Sequence, residues 1–398
     1  MSYTKVINGS ILIFLLLGLP PLGMVLSGQA LPHDLTLFPI PLQPGEASLS
    51  WPIFGLLALL ISGTVAPFLW RYGKTRCHGP CKSASTKEFP WWGWMGVGWT
   101  AFAWILAWTR FSWFQEWQPH TFPLLWFGYI VIINALHFSR TSQCLLKNQP
   151  KLLFKLFFLS AVFWWIFEYL NQFVQNWHYV GITEAHPLLT FFWMTIAFST
   201  VLPAVLSTYA YLFSFVQIKA PFENWSAISM VDSPRTGWLM FSLGCFGLLM
   251  IGIWPTLLYS LLWVSPLLIM LGIQIIRRVP TLLSPLAKGN WSPVVLSALA
   301  ALVCGGFWEM WNAYSLLHWE YSIPYVHALQ MGEMPILGYA GYFPFGLQCL
   351  TVAALFSEIR TFGVKPMPGI LACQCMPYQT VHPEAHECNT INRDPHFH

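Results

Sequence analysis

Long runs of apolar residues, separated by short polar or proline-bearing connections, dominate the chain. A helix of about 17–25 apolar residues is long enough to cross the hydrocarbon core of a membrane. We therefore predict an all-α polytopic membrane protein with about ten transmembrane helices. The predicted spans are residues 10–28, 51–70, 93–109, 121–138, 152–173, 188–217, 237–253, 256–276, 293–313 and 338–358. An alternative for the first run is a cleaved signal peptide, because Lys5 precedes it and Gly28-Gln29-Ala30 resembles a cleavage site.

Landmarks within these spans recur at a nearly constant offset. Glu168 and Asn171 are matched by Glu309 and Asn312, 141 residues later (309 − 168 = 141). The other matches are Trp177-His178-Tyr179 with Trp319-Glu320-Tyr321, Gly93-Trp94 with Gly237-Trp238, Pro123 with Pro266, and Pro203 with Pro344. Such self-similarity is typical of a tandem duplication. Four spans per unit is an even number, which predicts parallel repeats related by an axis along the membrane normal.

The pattern divides the chain into four predicted regions. Residues 1–90 hold two N-terminal transmembrane helices and a basic cytoplasmic loop, and residues 361–398 form a flexible cytoplasmic tail that carries cysteine and histidine. Between them lie repeat one (residues 93–217) and repeat two (residues 237–360). Charged residues make up only 9% of the chain, against about 25% in soluble domains, which excludes an ordinary soluble protein. No nucleic-acid motif accompanies the net charge of +4.

Lysine and arginine occupy every second connection between the predicted spans, and the alternate connections hold one basic residue, Arg110. By the positive-inside rule, the basic connections are cytoplasmic. Both termini are then cytoplasmic, in a bacterial-type inner (plasma) membrane, and both Trp-x-Tyr elements lie outside. Arg110 is close to Glu116 in sequence, and we expect a local ion pair between them.

The matched carboxylates are the strongest candidates for chemistry, because an ionisable group within a membrane is costly and usually functional. Glu168, Asn171, Gln172 and Gln175 are spaced to share one helix face, which should point into the bundle or a water-filled vestibule. We predict that Glu168 and Glu309 act as acid/base groups or polar anchors, with Asn171 and Asn312 orienting them. The predicted substrate-binding residues are Asn171, Asn312, Gln172, Gln175, Trp177, Tyr179, Trp319 and Tyr321. The structural alternative is that these groups only join helices by hydrogen bonds.

Cysteines suggest a second, weaker site. Cys77 and Cys81 in the basic loop and Cys373 and Cys375 in the tail are expected on one side of the membrane, where four thiolates suit zinc. Free thiols or a redox pair are the alternatives. Four other cysteines, Cys144, Cys245, Cys304 and Cys349, belong to apolar segments and are expected to be small packing residues.

The order of residues in repeat two resembles the membrane-bound lycopene cyclase domain of carotenoid biosynthesis. The resemblance rests on Phe307-Trp308-Glu309, His318-Trp319-Glu320-Tyr321 and Glu333-Met334-Pro335, about 35 residues in all. The chain departs from that family after Pro335, where Ile-Leu-Gly replaces acidic residues, and it has four spans per repeat rather than three. The resemblance therefore implies a bundle that receives an isoprenoid-like molecule beside membrane carboxylates, and it does not imply cyclase activity.

Composition and motifs together favour a protein that binds or converts a hydrophobic lipid or isoprenoid-like substrate at a site between the repeats that opens to the outer leaflet. The alternatives are a transporter or channel for a small solute or ion, and a structural subunit of a membrane complex. The chain has no Gly-rich phosphate loop, no G-x-S-x-G and no H-E-x-x-H motif, so nucleotide hydrolysis is not expected. Membrane lipid is the expected surrounding, and a membrane-protein partner is compatible with the third alternative.

Overall fold

A computed structural model describes residues 3–31, 48–76, 87–182, 186–356 and 376–377. Within them the chain is mainly helical, and the strands are short. The α-helices are α1 (Tyr3–Leu26), α2 (Trp51–Lys74), α3 (Trp91–Trp108), α4 (Thr121–Thr141), α5 (Leu145–Asn148), α6 (Pro150–Val174), α7 (Pro187–Phe198), α8 (Val201–Phe213), α9 (Val216–Glu223), α10 (Pro234–Ile253), α11 (Pro255–Leu258), α12 (Leu261–Ile276), α13 (Ser292–Asn312) and α14 (Tyr342–Phe356). The strands are β1 (Thr75–Arg76), β2 (Trp177–Val180), β3 (His318–Tyr321), β4 (Gln330–Met331), β5 (Met334–Pro335) and β6 (Met376–Pro377).

Seven helical stretches of the described chain are long and apolar enough to cross a membrane. They are Trp51–Lys74, Gln118–Thr141, Pro150–Val174, Pro187–Phe213, Pro234–Ile253, Ser292–Asn312 and Ile336–Leu355. Two further apolar helices, Ser10–Leu26 and Leu261–Ile276, are shorter. These stretches confirm the all-α membrane class. Proline at the first or second position of several helices, as at Pro150 and Pro234, marks where they begin.

Two helix pairs, α3 with α4 and α10 with α12, make the most extensive contacts inside each predicted repeat. Both pairs approach closely through glycine. A Cβ atom at Gly93 would lie 2.6 Å from the Cβ atom of Ala135, and one at Gly237 would lie 2.9 Å from Cγ2 of Ile275. Glycine at two matched positions, Gly93 and Gly237, therefore allows close packing in both helix pairs.

The centre of the bundle is formed by α8, α13 and α14, which pack on one another and on α4, α6 and α12. Buried residues from these helices include Leu202, Cys304 and Leu350. Cys144 and Cys349 are also buried and free, as expected for small packing residues. Helix α2 differs from the other candidate spans, because the rest of the chain covers little of its apolar surface.

At each end of the bundle, hydrogen bonds join the connections between helices. At the end with most lysine and arginine, the Arg71 side chain donates to the carbonyls of Pro221 and Asn224, and the Lys87 backbone N–H donates to the Ser139 carbonyl. At the other end, Arg110 donates to the carbonyls of Ala107 and Tyr314.

Arg110 therefore serves a different purpose from the one expected. No ion pair between Arg110 and Glu116 is present among the described residues. The guanidinium instead bridges the connection after α3 to residue Tyr314, beyond α13, because two backbone carbonyls lie within reach of its planar donors.

Strands β1 and β6 pair in antiparallel fashion, with Thr75 opposite Pro377 and Arg76 opposite Met376. The predicted zinc ligands Cys77, Cys81, Cys373 and Cys375 all lie outside the described residues. Within the described ranges, no group of three or more His, Cys, Asp or Glu side chains is arranged to hold a metal ion.

Candidate functional site

The two Trp-x-Tyr elements pair with each other across the bundle. Strands β2 and β3 are antiparallel, with Trp177 opposite Tyr321 and Tyr179 opposite Trp319. Each tryptophan therefore faces the tyrosine of the other element, and the register is centred on one pair, His178 and Glu320. The sequence predicted two matching outer elements, but not that they form one ribbon.

A buried asparagine fixes the start of each strand. Asn171 donates to the Trp177 carbonyl at 2.7 Å, and its Oδ1 atom accepts from the Asn176 backbone N–H at 2.8 Å. Asn312 donates to the Trp319 carbonyl at 2.7 Å and accepts from the Trp319 backbone N–H at 2.8 Å. Asn171 and Asn312 were predicted to orient Glu168 and Glu309. They instead orient the strands, because their amides bind the backbone that follows each helix.

The other residues of the predicted polar stripe differ in their surroundings. Gln172 is buried beside Asn171. Helix α6 ends at Val174, and Gln175 adopts a left-handed conformation with φ of 50°. Gln175 is exposed, so it leaves the face that Glu168, Asn171 and Gln172 share. Helix periodicity could not anticipate this, because the helix stops one residue too early.

Glu168 is 6% exposed and is held by three aromatic donors. Its Oε1 atom accepts from the Tyr179 hydroxyl at 2.6 Å, from Trp164 Nε1 at 2.8 Å and from Trp177 Nε1 at 3.2 Å. Trp177 Nε1 also lies 3.4 Å from Oε2. Three donors suit an ionised carboxylate, because a protonated acid would need an acceptor for its own hydrogen.

Glu309 is 2% exposed and has two donors. Its Oε1 atom accepts from the Tyr321 hydroxyl at 2.7 Å and from the Tyr342 hydroxyl at 2.9 Å. Trp319 Nε1 donates to the Tyr321 hydroxyl at 2.8 Å, whereas its counterpart Trp177 reaches the carboxylate directly. The Oε2 atom of Glu309 is buried and has no hydrogen-bond partner.

A reciprocal exchange of residues explains why Trp164 donates to Glu168 whereas Tyr342 donates to Glu309. The position that matches Trp164 is Gly305 (164 + 141 = 305), and the position that matches Tyr342 is Val201 (342 − 141 = 201). A Cβ atom at Gly305 would lie 2.6 Å from Cδ2 of Tyr342. The absent side chain at Gly305 therefore leaves the space that the Tyr342 ring fills.

Tyrosine hydroxyls on both strands are fixed as donors. Burial, and then the neighbouring Glu168 carboxyl, raise the pKa of Tyr179 well above its ordinary value. Burial and Glu309 raise the pKa of Tyr321 in the same way. Both phenols therefore stay protonated at neutral pH and present a hydrogen to their carboxyl group.

A cavity of about 360 Å³ lies beside this network. All five side chains that donate to the two glutamates also line it: Trp164, Trp177, Tyr179, Tyr321 and Tyr342. Trp319 lines it too, so the four aromatic residues among the predicted substrate-binding residues, Trp177, Tyr179, Trp319 and Tyr321, all lie at the cavity. The glutamates and the two anchoring asparagines are not among the lining residues.

More aromatic rings line the cavity and contact one another. Phe345 contacts Trp164, Trp263 and Trp308 with ring centroids 5.8 Å, 5.8 Å and 6.0 Å apart. Leu57 and Ile61 of α2 also line the cavity. Except for Trp308, which belongs to the family resemblance, the sequence did not single out these residues, because an aromatic residue in an apolar span carries no sign of which face it occupies.

Two further polar residues of the lining were not among the predicted substrate-binding residues. Asn176 and His318 each precede the tryptophan of a Trp-x-Tyr element, and both line the cavity. Asn176 is 2% exposed, and its Oδ1 atom has no hydrogen-bond partner. The matching positions in the two repeats were the available signal (318 − 176 = 142).

At the ribbon, one carboxylate lies between two imidazoles. Glu320 Oε2 is 3.3 Å from His178 Nε2, and Glu320 Oε1 is 3.5 Å from His318 Nε2. The antiparallel register brings these residues together from connections that are distant in sequence. The cluster ties His318, a lining residue, to the centre of the ribbon.

No protein-family model, curated protein or solved structure was found to match the chain.

Proposed function

We propose that the protein binds a hydrophobic lipid or isoprenoid-like molecule in the aromatic cavity, in a membrane-spanning bundle of ten helices built from two parallel repeats. The observation that carries the proposal is the cavity itself. It has a volume within the range of small-molecule sites, its walls are mainly aromatic and aliphatic, and it holds few polar groups.

The register of β2 and β3 supports the repeat architecture. When a two-fold axis relates two antiparallel strands, each facing pair occurs twice with the two strands exchanged. Trp177 of β2 faces Tyr321 of β3, and in the same way Trp319 of β3 faces Tyr179 of β2. The matched contacts of Asn171 and Asn312 support the same relation. With the basic connections on the cytoplasmic side, the ribbon and the cavity belong to the outer leaflet.

In this proposal, the glutamates act through the rings in front of them. Glu168 and Glu309 hold Tyr179, Tyr321 and Tyr342 in fixed orientations at the cavity wall. If the bound molecule is converted, a tyrosine hydroxyl would pass its proton between the substrate and the carboxyl group behind it. The glutamates then remain the candidate acid/base groups, one ring away from the reacting atoms.

Transport of an ion or polar solute is the second candidate, and it fits the cavity less well. A permeation path for such a solute needs a series of polar groups along the bundle. The lining contains few polar side chains, and among the described residues it includes no Lys or Arg. The apolar wall therefore favours a hydrophobic ligand.

A cavity-filling substitution tests the proposal. Gly341 lines the cavity, and a Cβ atom there would have no neighbour closer than Trp263 at 4.0 Å. Gly341→Leu should fill the space without disturbing the wall. Gly306→Leu is the matched control, because Gly306 is exposed on α13 and a Cβ atom there would meet nothing within 4 Å.

The measurement is mass spectrometry of the apolar molecules that remain bound to the protein after purification in mild detergent. The wild type and Gly306→Leu should retain the same molecule at near one per chain, and Gly341→Leu should lose it. Retention of the same molecule by all three proteins, or of none by the wild type, would show that the cavity is not a lipid site.

A further inference from the structure

Two carboxyl groups lie behind the walls of the cavity, and neither of them is paired with a lysine or arginine of the described residues. Within the described part of the chain, Lys219 pairs with Glu223, and Glu320 lies within 3.5 Å of the imidazoles of His178 and His318. Neither Glu168 nor Glu309 takes part in an ion pair there. Two buried carboxyl groups thus lie behind the wall with aromatic donors as their only neighbours of complementary polarity.

The hydrogen bonds decide which surface the aromatic residues show to a ligand. The indole N–H groups of Trp164 and Trp177 and the hydroxyls of Tyr179, Tyr321 and Tyr342 point toward carboxyl oxygens. Their polar edges are therefore occupied, and the carbon surfaces of the rings remain for the cavity. Donation to a carboxylate also polarises a phenol or indole, which makes the ring more negative.

Aromatic faces attract soft cations, and the attraction grows when water is excluded. Cages of tryptophan and tyrosine are the usual recognition device for quaternary ammonium groups. Here the same rings are backed by two carboxyl groups, which add a longer-range attraction for positive charge when they are ionised. The unpartnered, buried Oδ1 atom of Asn176 adds another negative dipole to the lining.

The lining also disfavours the opposite charge. Among the described residues, it contains no Lys or Arg that would hold a phosphate or carboxylate. Its two histidines are already engaged, since His318 Nε2 lies 3.5 Å from Glu320 Oε1 and the His120 ring stacks on Trp193 with 4.1 Å between centroids. The cavity is therefore built for a ligand that is apolar, positively charged, or both.

We propose that the ligand of this cavity carries a methylated ammonium group, which the ring faces of the Glu168 and Glu309 networks enclose. The inference rests on the proposed function, because it names the chemical class of the ligand in the same cavity. A quaternary ammonium satisfies both features of the wall: its methyl groups contact the rings, and its diffuse charge needs no hydrogen-bond acceptor.

A pair of isosteric probes tests the charge separately from the shape. One probe is a nine-carbon alcohol that ends in a trimethylammonium group, and the other is the same alcohol ending in tert-butyl. Binding is measured by equilibrium dialysis of the labelled probes against the full chain in phosphatidylglycerol nanodiscs. We expect the cationic probe to bind the wild type at least tenfold more tightly than the neutral probe, relative to empty nanodiscs.

Substitutions show which residues cause the preference for the cationic probe. Glu168→Gln and Glu309→Gln keep the shape of the wall and should each reduce the preference at least threefold. Glu223→Gln removes one negative charge at the surface pair with Lys219 and should leave the preference unchanged. If a glutamate variant fails to fold, Tyr179→Phe and Tyr321→Phe, which remove one donor each, should lower the preference in the same direction.

Equal binding of the two probes to the wild type, with both displaced by Gly341→Leu, would overturn the inference and leave the proposed function standing. No binding of either probe at a site sensitive to Gly341→Leu would overturn both. A preference that survives Glu168→Gln and Glu309→Gln unchanged would also reject the role given to the carboxyl groups.

A further arm identifies the source of the ammonium group once the preference is established. The binding of the cationic probe is compared in nanodiscs of phosphatidylglycerol and of phosphatidylcholine. Weaker binding in phosphatidylcholine indicates that a lipid headgroup competes for the cavity. Equal binding in the two bilayers indicates that the site takes a free ammonium compound.

Discussion

Glu168 and Glu309 occupy matched positions at the ends of α6 and α13, yet their surroundings satisfy them to different degrees. Glu168 accepts from Trp164, Trp177 and Tyr179. Glu309 accepts from two tyrosines, and one of its oxygens is buried without a partner. An unpaired buried oxygen costs free energy, so Glu309 is the less stable of the two arrangements.

The comparison separates two layers of the site. The layer that fixes the backbone is formed by Asn171 and Asn312, and each of them donates to the carbonyl of the tryptophan in its strand. The layer that faces the cavity has changed through the exchange of Trp164 and Val201 for Gly305 and Tyr342. The frame of the ribbon is thus common to both halves, and the donors around the carboxyl groups distinguish them.

The largest expected effect concerns the shared frame. Asn171→Ala and Asn312→Ala each remove the partner of a buried carbonyl and of a buried backbone N–H group. An unsatisfied buried group costs about 1–3 kcal/mol, so each variant should lower the free energy of unfolding by roughly 2–5 kcal/mol. The measurement is unfolding by sodium dodecyl sulfate titration, with exposed Asn224→Ala as the control that should change little.

Because both asparagines make matching contacts, the two losses should agree to within about 1 kcal/mol. A large loss for one asparagine and none for the other would contradict the view that the frame is equivalent in the two halves.

The positions of the frame could be predicted from the sequence, and its contacts could not. Spacing placed Glu168 and Asn171 on one buried face, and the distribution of lysine and arginine placed Trp177 and Trp319 on the same side of the membrane. Which group an asparagine amide meets depends on where the helix ends. Helix α6 stops at Val174, and the chain turns back over Asn171 through the left-handed Gln175, a turn that apolar periodicity does not record.

The cavity was harder to predict for a related reason. Its lining comes from residues as distant in the chain as Leu57, Trp193 and Phe345. Apolar spans are hydrophobic all round, so their pattern does not tell which side faces lipid and which side faces a cavity. Seven helical stretches of the described chain nevertheless have the length and hydropathy of a membrane span, and the number of ten spans stays a prediction.

The second prediction concerns the exchange that distinguishes the halves. Gly305→Ala would place a methyl group against the Tyr342 ring, and overpacking of this kind costs about 1–3 kcal/mol. The neighbouring Gly306→Ala is the control, because a Cβ atom there meets nothing within 4 Å and alanine favours a helix by about 0.5–1 kcal/mol. Thermal unfolding in nanodiscs should show a lower midpoint for Gly305→Ala alone.

A second substitution sharpens the same test. Tyr342→Val introduces the residue found at the matching position, Val201, and removes the ring that the methyl group would strike. The double variant Gly305→Ala with Tyr342→Val should then show less than the sum of the two single losses. Additive losses would mean that Gly305 and Tyr342 are not coupled through the space they share.

The smallest effect on stability should come from the carboxyl groups themselves. Whether Glu168→Gln or Glu309→Gln loses more stability tests the difference between the two glutamates directly. Glu168→Gln places an amide N–H₂ group where Oε2 lies 3.4 Å from Trp177 Nε1, so two donors would oppose each other. It also replaces hydrogen bonds to a charged group by weaker neutral ones, and we expect a loss of about 1–2 kcal/mol.

In Glu309→Gln, the amide nitrogen replaces the oxygen that has no partner, while Oε1 still accepts from Tyr321 and Tyr342. The loss should stay below about 1 kcal/mol, and the surface variant Glu223→Gln should change stability by less than about 0.5 kcal/mol. Unfolding titrations of the three variants under one set of conditions give the order. A greater loss for Glu309→Gln than for Glu168→Gln would mean that the number of aromatic donors does not determine how strongly each carboxyl group is held.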